Sequence, residues 1–267
     1  MKKLIEVKDL SVKYSSRKKF FGRIQNHNTA VENINFTFFE GELLGIVGES
    51  GSGKSTVARC LLNIIKNVDS SSVINGSISY KGKEFLGLKG KDLKEIRKKI
   101  QGIFQDPDSS LNDVYTAGEI VEEPLKHLTD FPKTVRLKMV KDIFDKCGLN
   151  VNDINKYPNE FSAGQKQRIC VARALVTEPE ILIADEPLSS LDISIQAQIL
   201  NLFLDLKEQY SLSIIYITHD LNIVKAFCDR VIIMKDGRIV EQGTMTDVML
   251  NPKSDYTQTL FMANIKL

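Results

Sequence analysis

The sequence predicts an α/β protein, in which a core with a parallel sheet and a phosphate-binding loop carries an antiparallel β subdomain and an inserted helical subdomain. Three features of the 267 residues support this prediction. A glycine-rich loop follows an apolar run that is typical of a buried strand, and two later runs of the same kind end in acidic residues or histidine. A stretch with helical periodicity separates the loop from those two runs, which indicates the helical insertion.

Two N-terminal strands are predicted over residues 4–12 and 30–39, because apolar residues alternate there. They indicate a β-rich layer against the phosphate-loop core. The polar and basic residues 15–28 between them are predicted to form a loop or an insertion. Tyr14 follows the first strand and leaves two possibilities open: its ring stacks on a nucleotide base, or it packs on its own sheet as a strand-end tyrosine.

The glycine-rich loop has the pattern G-x-x-x-x-G-K-[ST] and lies between the apolar residues 43–47 and a helix-compatible stretch. Strand, loop and helix in this order are the context in which the pattern indicates a phosphate site. Glycines let main-chain N–H groups converge on an anion, and the helix N-terminus adds partial positive charge. Lys54 is expected to reach the β- and γ-phosphates, and the Ser55 hydroxyl to bind Mg²⁺. Besides Tyr14, the predicted nucleotide-binding residues of this region are Gly48, Glu49, Ser50, Gly51, Ser52, Gly53, Lys54, Ser55 and Thr56.

The segment that follows combines charged, strand-like and helical stretches. Residues 91–99 read as a helix with a solvated charged face, and residues 100–107 as a strand that ends near Gln105. That glutamine is either structural or reaches a metal ion or a water near the phosphates. A helix ending at Gly148 is predicted from an apolar stripe, which belongs to the core or forms a docking face for another helix; the stripe is Val135, Met139, Ile143 and Cys147.

A second helix N-terminus and an acidic pair follow. Small residues precede a helix at Ser162-Ala163-Gly164-Gln165, which leaves N–H groups available to an anion. The apolar residues 181–184 then lead to Asp185 and Glu186. Two adjacent carboxylates at the end of a buried strand cost free energy unless a cation or a reaction uses them. Asp185 is therefore predicted to hold Mg²⁺, directly or through water, and Glu186 to polarise the water that attacks the γ-phosphate.

The last strand of this kind, residues 213–218, ends in His219. A histidine at the carboxyl end of a parallel strand lies at the edge where doubly wound sheets bind ligands. It is predicted to hydrogen-bond the γ-phosphate or the attacking water. Before this strand, residues 190–192 lead into a helix whose predicted apolar face is Ile195, Ile199, Leu202 and Leu206.

The composition is that of an ordinary soluble globular protein, with 42% hydrophobic and 26% charged residues. The net charge of +2 gives no reason to expect a nucleic-acid partner. Four cysteines form no Cys-x-x-Cys pair, so neither a metal site nor a disulfide framework is predicted, which is consistent with a reducing compartment. No apolar run approaches the roughly 18 residues that span a bilayer, and Glu6 comes too early for a signal-peptide core. We therefore expect a soluble chain whose membrane role, if it has one, comes through a partner.

Taken in order, these motifs resemble those of the nucleotide-binding ATPase subunits of ABC transporters, over nearly the whole chain. They are the phosphate loop at 48–55, a Q-loop at Gln105, a signature at 162–165, the strand ending in Asp185-Glu186, a D-loop at 190–192 and a switch histidine, His219. The surrounding sequence is similar to the oligopeptide, dipeptide and nickel uptake branch, and the stretch that includes Phe21-Gly22-Arg23 resembles the second ATPase subunit of that branch. A further similar string is Asn251-Pro252 followed by Asp255-Tyr256-Thr257-Gln258.

The resemblance implies a single P-loop NTPase domain of the ABC type. Its β layer and phosphate-loop core would cover residues 1–104 and 170–240, its helical subdomain residues 105–169, and a C-terminal tail residues 241–267. It also implies ATP as the nucleotide. Mg²⁺ would be held by Ser55, Gln105 and Asp185, and the catalytic residues would be Glu186, His219 and Gln105.

The resemblance further implies a head-to-tail dimer in which each ATP lies between one chain's phosphate loop and the other chain's signature. The residues that would act on the partner's ATP are Ser162, Ala163, Gly164, Gln165 and Asp192. The implied partners are a second ATPase subunit, different or identical, two transmembrane permease subunits and, indirectly, an extracytoplasmic substrate-binding protein. The chain would lie peripherally on the cytoplasmic face of the membrane. ATP closes the dimer, the helical subdomain around Gln105 passes the closure to the permeases, and hydrolysis with Glu186 as base reopens it.

Two departures from the family pattern affect these expectations. Ala163 stands where the family commonly has glycine, and its methyl group is tolerated beside a phosphate only if its φ is negative. No cysteine follows Cys228, so the cysteine-rich tail of some relatives, with its iron–sulfur cluster, is not expected. The alternatives are an ABC ATPase of another transporter and a soluble ABC ATPase. The latter normally has two such domains or a long coiled-coil insertion, whereas a nucleotide sensor would lack the base or the switch. Peptides, nickel and metal chelates remain open as cargo.

Overall fold

The computed structural model describes residues 2–20, 23–189 and 191–263. The strands, in chain order, are β1 (Lys3–Phe20), β2 (Arg23–Phe39), β3 (Leu43–Val47), β4 (Val73–Tyr80), β5 (Lys83–Glu84), β6 (Ile100–Ile103), β7 (Ile181–Asp185), β8 (Ser213–Thr218), β9 (Arg230–Lys235) and β10 (Arg238–Thr244). The helices are α1 (Lys54–Leu61), α2 (Ile65–Val68), α3 (Gly90–Lys99), α4 (Pro107–Ser110), α5 (Ala117–Leu128), α6 (Lys133–Lys146), α7 (Ala163–Leu175), α8 (Ile193–Tyr210), α9 (Leu221–Phe227), α10 (Met245–Leu250) and α11 (Asp255–Ala263). Short 3₁₀ helices cover Val151–Asn155 and Pro158–Glu160.

The chain divides into two compact units. One consists of Met1–Leu88 and Ile214–Leu267, and the other is the continuous segment Lys89–Ser213. This division by compactness does not follow the predicted boundaries at residues 105, 169 and 241, and the functional subdivision stays a prediction. Of the helices in the part of the chain that the structure describes, none has both the length and the apolarity to cross a bilayer.

The first unit contains the two kinds of sheet that the sequence predicts. An antiparallel sheet has the strand order β2-β1-β4-β5. Strand β3 pairs in parallel with β8 on one side and with β9 on the other, and β10 returns antiparallel along β9. All residues of β3 and β8 are buried, because a strand covered on both faces has no polar side to present. The carboxyl ends of these strands therefore meet at one edge, from which the glycine-rich loop leaves.

The prediction of a loop or an insertion at residues 15–28 needs one correction. Residues 15–20 and 23–28 are strand rather than loop, since β1 and β2 continue there as an antiparallel pair in which Ser15 pairs with His27 and Phe20 with Arg23. The other possibility, an insertion, stays a prediction. The polar and basic sequence lacks the apolar alternation from which strands are recognised, yet main-chain pairing requires no apolar side chain. Phe21 and Gly22, which belong to the segment that resembles the second ATPase subunit, lie outside the described residues.

The second unit combines the parallel strands β6 and β7 with helices α3 to α8. Helix α6 is present as predicted, and Gly148 follows its C-cap with φ 68°. The predicted apolar stripe is only half right. Val135 is 41% exposed, and the buried side chains of α6 are Val140, Ile143 and Phe144. A four-residue spacing drifts around a helix of 3.6 residues per turn, so the stripe reaches the core face only in its second half, at Ile143 and Cys147.

Candidate functional site

The glycine-rich loop joins β3 to α1. Gly53 caps α1 with φ 99°, in the left-handed region that favours glycine. The Lys54 ammonium group donates hydrogen bonds to the main-chain oxygens of Gly48, at 2.7 Å, and Glu49, at 2.9 Å. The loop carbonyls thus hold the positively charged Lys54 ammonium group close to the N-terminus of α1. The ammonium group and the helix N-terminus both attract an anion. This arrangement fits a chain of phosphate groups.

Neighbouring segments pack so closely on the loop that side chains are excluded. A Cβ atom at Gly48 would lie 2.2 Å from the main-chain oxygen of Met234, and one at Gly53 would lie 2.7 Å from a main-chain oxygen of β2. The N–H of Gly237 donates to the main-chain oxygen of Ser52 at 3.1 Å. The β9–β10 turn and β2 therefore determine the shape of the loop. The sequence shows a turn signal at Asp236-Gly237, but no local pattern shows what that turn contacts.

Two predicted residues of the same compact unit lie near the loop, one beside the first turn of α1 and one at the end of the strand next to β3. The Tyr14 hydroxyl lies 3.4 Å from the Thr56 hydroxyl in the first turn of α1. Val47 and Thr218 are partners in the parallel β3–β8 register, so the loop and the exposed His219 leave adjacent strands at the same sheet edge. The structure therefore brings Tyr14 and His219 to the loop, whereas the stacking of Tyr14 on a base stays a prediction.

In the second unit, parallel pairing aligns Gln105 with the acidic pair. Ile103 pairs with Ala184, so the residues that follow β6 and β7 emerge at one edge. Asp185 is the last residue of β7 and is buried, whereas Gln105 is exposed. Glu186 is half-buried and has φ 47°, an uncommon backbone conformation for a residue with a side chain. Such conformations concentrate at functional sites.

The signature segment forms the N-terminus of α7. The Ser162 hydroxyl oxygen accepts the N–H of Gln165 at 3.4 Å, and the Gln165 amide oxygen accepts the N–H of Ser162 at 2.9 Å. The hydroxyl hydrogen of Ser162 can still donate to an anion. Ala163 is the first residue of α7 and has no positive φ. The condition for tolerating alanine at this position is therefore met.

Asp192 lies beside the signature through a shared contact with Ile195. Its carboxylate caps α8 by accepting the Ser194 hydroxyl at 2.6 Å and the Ile195 N–H at 2.9 Å, and these two bonds lower its pKa. A Cβ atom at Gly164 would lie 2.9 Å from Ile195 Cγ2, so α7 and α8 meet closely at this point. The structure thus brings the signature and Asp192 together. Ser190 of the predicted D-loop lies outside the described residues.

The predicted Mg²⁺ ligands differ from a preformed metal cluster. Within residues 2–20, 23–189 and 191–263, no group of three or more His, Cys, Asp or Glu side chains is placed to hold a metal ion. The predicted ligands are instead a hydroxyl, an amide and a carboxylate, from Ser55, Gln105 and Asp185. These oxygen donors suit Mg²⁺, which takes further ligands from water and from the phosphates of its substrate. The set therefore fits Mg²⁺ that arrives with a nucleotide.

The comparison with known families agrees with this set of motifs. The sequence profile described as ABC transporter matches residues 31–189, which is more than half of the chain. The chain belongs to the ABC transporter family. It is an ABC-type ATPase that binds ATP, and the predicted resemblance is confirmed.

Individual relatives support the same assignment over almost the full length of this ABC ATPase. It is 45% identical to the oligopeptide transport ATP-binding protein OppF of Salmonella typhimurium, over 98% of this chain and 78% of the relative. It is 44% identical to OppF of Streptococcus mutans, over 98% of this chain and 82% of the relative. A solved dimer of the ATP-binding cassette MJ0796, in a post-hydrolysis state bound to ADP and Pi, superimposes with a TM-score of 0.74 at 31% identity, covering 91% of this chain and 99% of that chain. The predicted fold class is confirmed.

Proposed function

We propose that this chain is the ATP-hydrolysing subunit of an importer that takes up peptides. The observation that carries the proposal is the phosphate loop with the anchored Lys54 and the adjacent His219, in a chain that is 45% identical to OppF. The chain would lie on the cytoplasmic face of the membrane. There it would bind a second ATPase subunit and two permease subunits, which a substrate-binding protein supplies with cargo.

Binding of ATP begins at the phosphate loop. Main-chain N–H groups of the loop at residues 48–55 and the Lys54 ammonium group contact the β- and γ-phosphates, and the Tyr14 ring stacks on the base. When Mg²⁺ is bound, held by Ser55, Gln105 and Asp185, it neutralises the charge that develops on the phosphate oxygens.

Hydrolysis is an in-line displacement by water. The water oxygen forms a bond to the γ-phosphorus while the bond between this phosphorus and the β-γ bridging oxygen breaks, which leaves ADP and phosphate. Glu186 orients the water and accepts its proton, and His219 donates a hydrogen bond to the γ-phosphate. Glu186 is half-buried and has φ 47°, a backbone conformation of the kind that concentrates at functional sites, which supports this role.

The second half of each site comes from the partner chain. The Ser162 hydroxyl and the N-terminal N–H groups of α7 act on the γ-phosphate of the partner's ATP, because they form an exposed helix N-terminus. Asp192 supports this surface by capping the adjacent α8. ATP therefore closes the dimer, and its hydrolysis releases it.

The decisive experiment is ATPase turnover of Glu186→Gln, with Glu178→Gln as the matched control. Glu178 also has a positive φ, 51°, and is exposed. We expect Glu186→Gln to bind ATP and to trap a dimer while turnover falls by about two to four orders of magnitude, and Glu178→Gln to keep wild-type turnover. Unchanged turnover in Glu186→Gln would refute its role as base. Lys54→Ala should weaken ATP binding itself, and normal affinity would count against the phosphate loop.

The cargo is tested by uptake in cells that lack this subunit. We expect the uptake of labelled peptides to be lost and to return when the wild-type chain, but not Glu186→Gln, is expressed. Labelled Ni²⁺, free and chelated, is measured in the same cells. Loss of nickel uptake alone would assign a metal cargo instead, and loss of neither would reject the proposed importer.

A further inference from the structure

A cluster at the phosphate loop includes two residues from the C-terminal part of the chain that have no part in the mechanism above. It consists of Tyr256 in α11, Lys235 at the end of β9 and Glu49 in the loop. The Lys235 ammonium nitrogen lies 4.7 Å from the centre of the Tyr256 ring, within the range of a cation–π contact.

The position of Lys235 places this cluster at the loop. The preceding residue, Met234, has the main-chain oxygen that a Cβ at Gly48 would meet at 2.2 Å. The turn that follows Lys235 is bonded to the loop through Gly237. The segment that carries Lys235 thus contacts the loop on both sides of this residue, and the Tyr256 ring packs against the Lys235 ammonium group.

Tyr256 is held in place by hydrogen bonds at the start of α11. The Glu241 carboxylate in β10 accepts the main-chain N–H groups of Lys253, at 2.9 Å, and Ser254, at 3.1 Å. The Ser254 hydroxyl oxygen in turn accepts the N–H of Thr257 at 3.0 Å, as an N-cap residue does. Since Glu241 is only 8% exposed, these bonds are largely shielded from water and fix the orientation of α11.

The Tyr256 hydroxyl faces Glu49. Its oxygen is buried, and no group in the described part of the chain meets it in full hydrogen-bond geometry. Burial raises the pKa of Tyr256 and the Glu49 carboxylate beside the hydroxyl adds to this, while the Glu49 main-chain N–H acts in the opposite direction. A buried hydroxyl without a partner costs free energy. With a small adjustment, the hydroxyl would accept the Glu49 N–H and could also donate to the Glu49 carboxylate.

We propose that Tyr256 is a positioning residue of the phosphate loop, whose hydroxyl accepts the Glu49 N–H and thereby keeps Lys54 in place. The reason is the planarity of the peptide group. The N–H of Glu49 and the C=O of Gly48 belong to one rigid plane, and that carbonyl is the one that holds the Lys54 ammonium at 2.7 Å. Fixing the N–H end of this plane fixes the carbonyl end. The proposal rests on the proposed function in one respect, since it assumes that the loop binds the phosphates of ATP.

The test compares Tyr256→Phe with Tyr80→Phe in the full chain. Each substitution removes one hydroxyl from a ring that faces a lysine; at Tyr80 the lysine is Lys81, at 5.3 Å from the ring centre, in the same compact unit. We expect Tyr256→Phe to raise the dissociation constant for MgATP about three- to tenfold, the effect of one lost hydrogen bond. Turnover at saturating ATP should stay within about twofold, because the lost interaction acts alike on bound ATP and on the transition state.

Hydrogen exchange supplies a readout that a general loss of stability would not reproduce. The Glu49 amide should exchange about three- to tenfold faster in Tyr256→Phe, because its acceptor is gone, while amides in α3 should exchange at the wild-type rate. Tyr80→Phe should leave both the Glu49 amide and MgATP affinity unchanged. Wild-type MgATP affinity or wild-type Glu49 exchange in Tyr256→Phe, or equal changes in both variants, would overturn the proposal.

Lys54→Ala separates this proposal from the proposed function. If Lys54→Ala loses MgATP binding while Tyr256→Phe binds normally, only the role of Tyr256 fails. If Lys54→Ala binds MgATP normally, the phosphate-loop assignment itself fails, and with it the premise for Tyr256.

Discussion

Replacing Gly53 with alanine perturbs the phosphate loop at a position where the structure permits no side chain. Gly53 has φ 99°, and an added Cβ would lie 2.7 Å from the Ala30 main-chain oxygen and 2.6 Å from a methyl group of Val31. Ordinary contacts of a Cβ atom are 3.4–4 Å. The loop or β2 must therefore move by more than half an ångström, since a main-chain oxygen in a paired strand has little freedom to move.

The loss of unfolding free energy in Gly53→Ala has two parts, which a matched variant separates. A left-handed φ costs a residue with a side chain about 1–2 kcal/mol, and overpacking a rigid site costs about 1–3 kcal/mol more. Gly82 has φ 79° with no atom within 4 Å of an added Cβ, so Gly82→Ala carries only the first part. We therefore expect losses of unfolding free energy of about 1–2 kcal/mol for Gly82→Ala and about 2–5 kcal/mol for Gly53→Ala.

Chemical denaturation of the chain without nucleotide, followed by a titration with MgATP, measures both effects. Gly82→Ala should bind MgATP as the wild-type chain does. Gly53→Ala should bind at least about tenfold more weakly, because displacing the loop misaligns its N–H groups. Equal losses of stability in the two variants would refute the argument from close packing. Normal MgATP affinity in a displaced Gly53→Ala loop would refute the claim that loop shape determines binding.

Two further predictions concern ionisation. Burial opposes the ionisation of Glu241, but the Lys253 N–H, the Thr257 hydroxyl and the Ser254 N–H together outweigh it and hold its pKa below the ordinary 4.5. Its contribution to stability is therefore present above pH 4.5 and is lost as the pH falls through the lowered value. At neutral pH, the free energy of unfolding of the wild-type chain should exceed that of Glu241→Gln by about 1–2 kcal/mol. Thermal unfolding should show that this difference shrinks in acid, and a difference that grows in acid would contradict the prediction. Burial also raises the pKa of Cys60 and of Cys147 to about 12, and those of the other two cysteines above the ordinary value. Because the thiolate is the reactive form, an aromatic disulfide should titrate no thiol in the native chain and all four after unfolding; a fast-reacting native thiol would contradict this expectation.

Much of the fold and of the candidate site is predictable because the relevant signals are local. The phosphate loop is recognisable from its glycines, its lysine and the flanking apolar run, and all five residues of the preceding β3 are buried as that run indicates. His219 is recognisable in the same way, because it follows the apolar run of the buried strand β8. Where burial on both faces forces a continuous apolar run, the end of the run marks the sheet edge, and hence the ligand-binding side.

The predictions that were wrong concern features whose signal is not local. The polar strand extensions at residues 15–20 and 23–28 are held by main-chain pairing, which side-chain patterns do not record. The predicted apolar stripe of α6, read as core or as a docking face, begins exposed at Val135 and is buried only in its second half, because sequence spacing alone does not show which neighbour covers a helix. The roles of the predicted catalytic residues and the subdomain boundaries stay predictions.

The sequence by itself determined the family, the nucleotide and the order of the motifs, because glycine, lysine and paired carboxylates at fixed spacing have few other physical uses. The tertiary structure decided which distant segments shape the loop. Gly237 and Tyr256 follow the loop by most of the chain's length, and only the packing of the β9–β10 turn and of α11 brings them to it. The physical reason is that a motif specifies what its own residues can bind, whereas the contacts that fix its shape depend on how the whole chain packs.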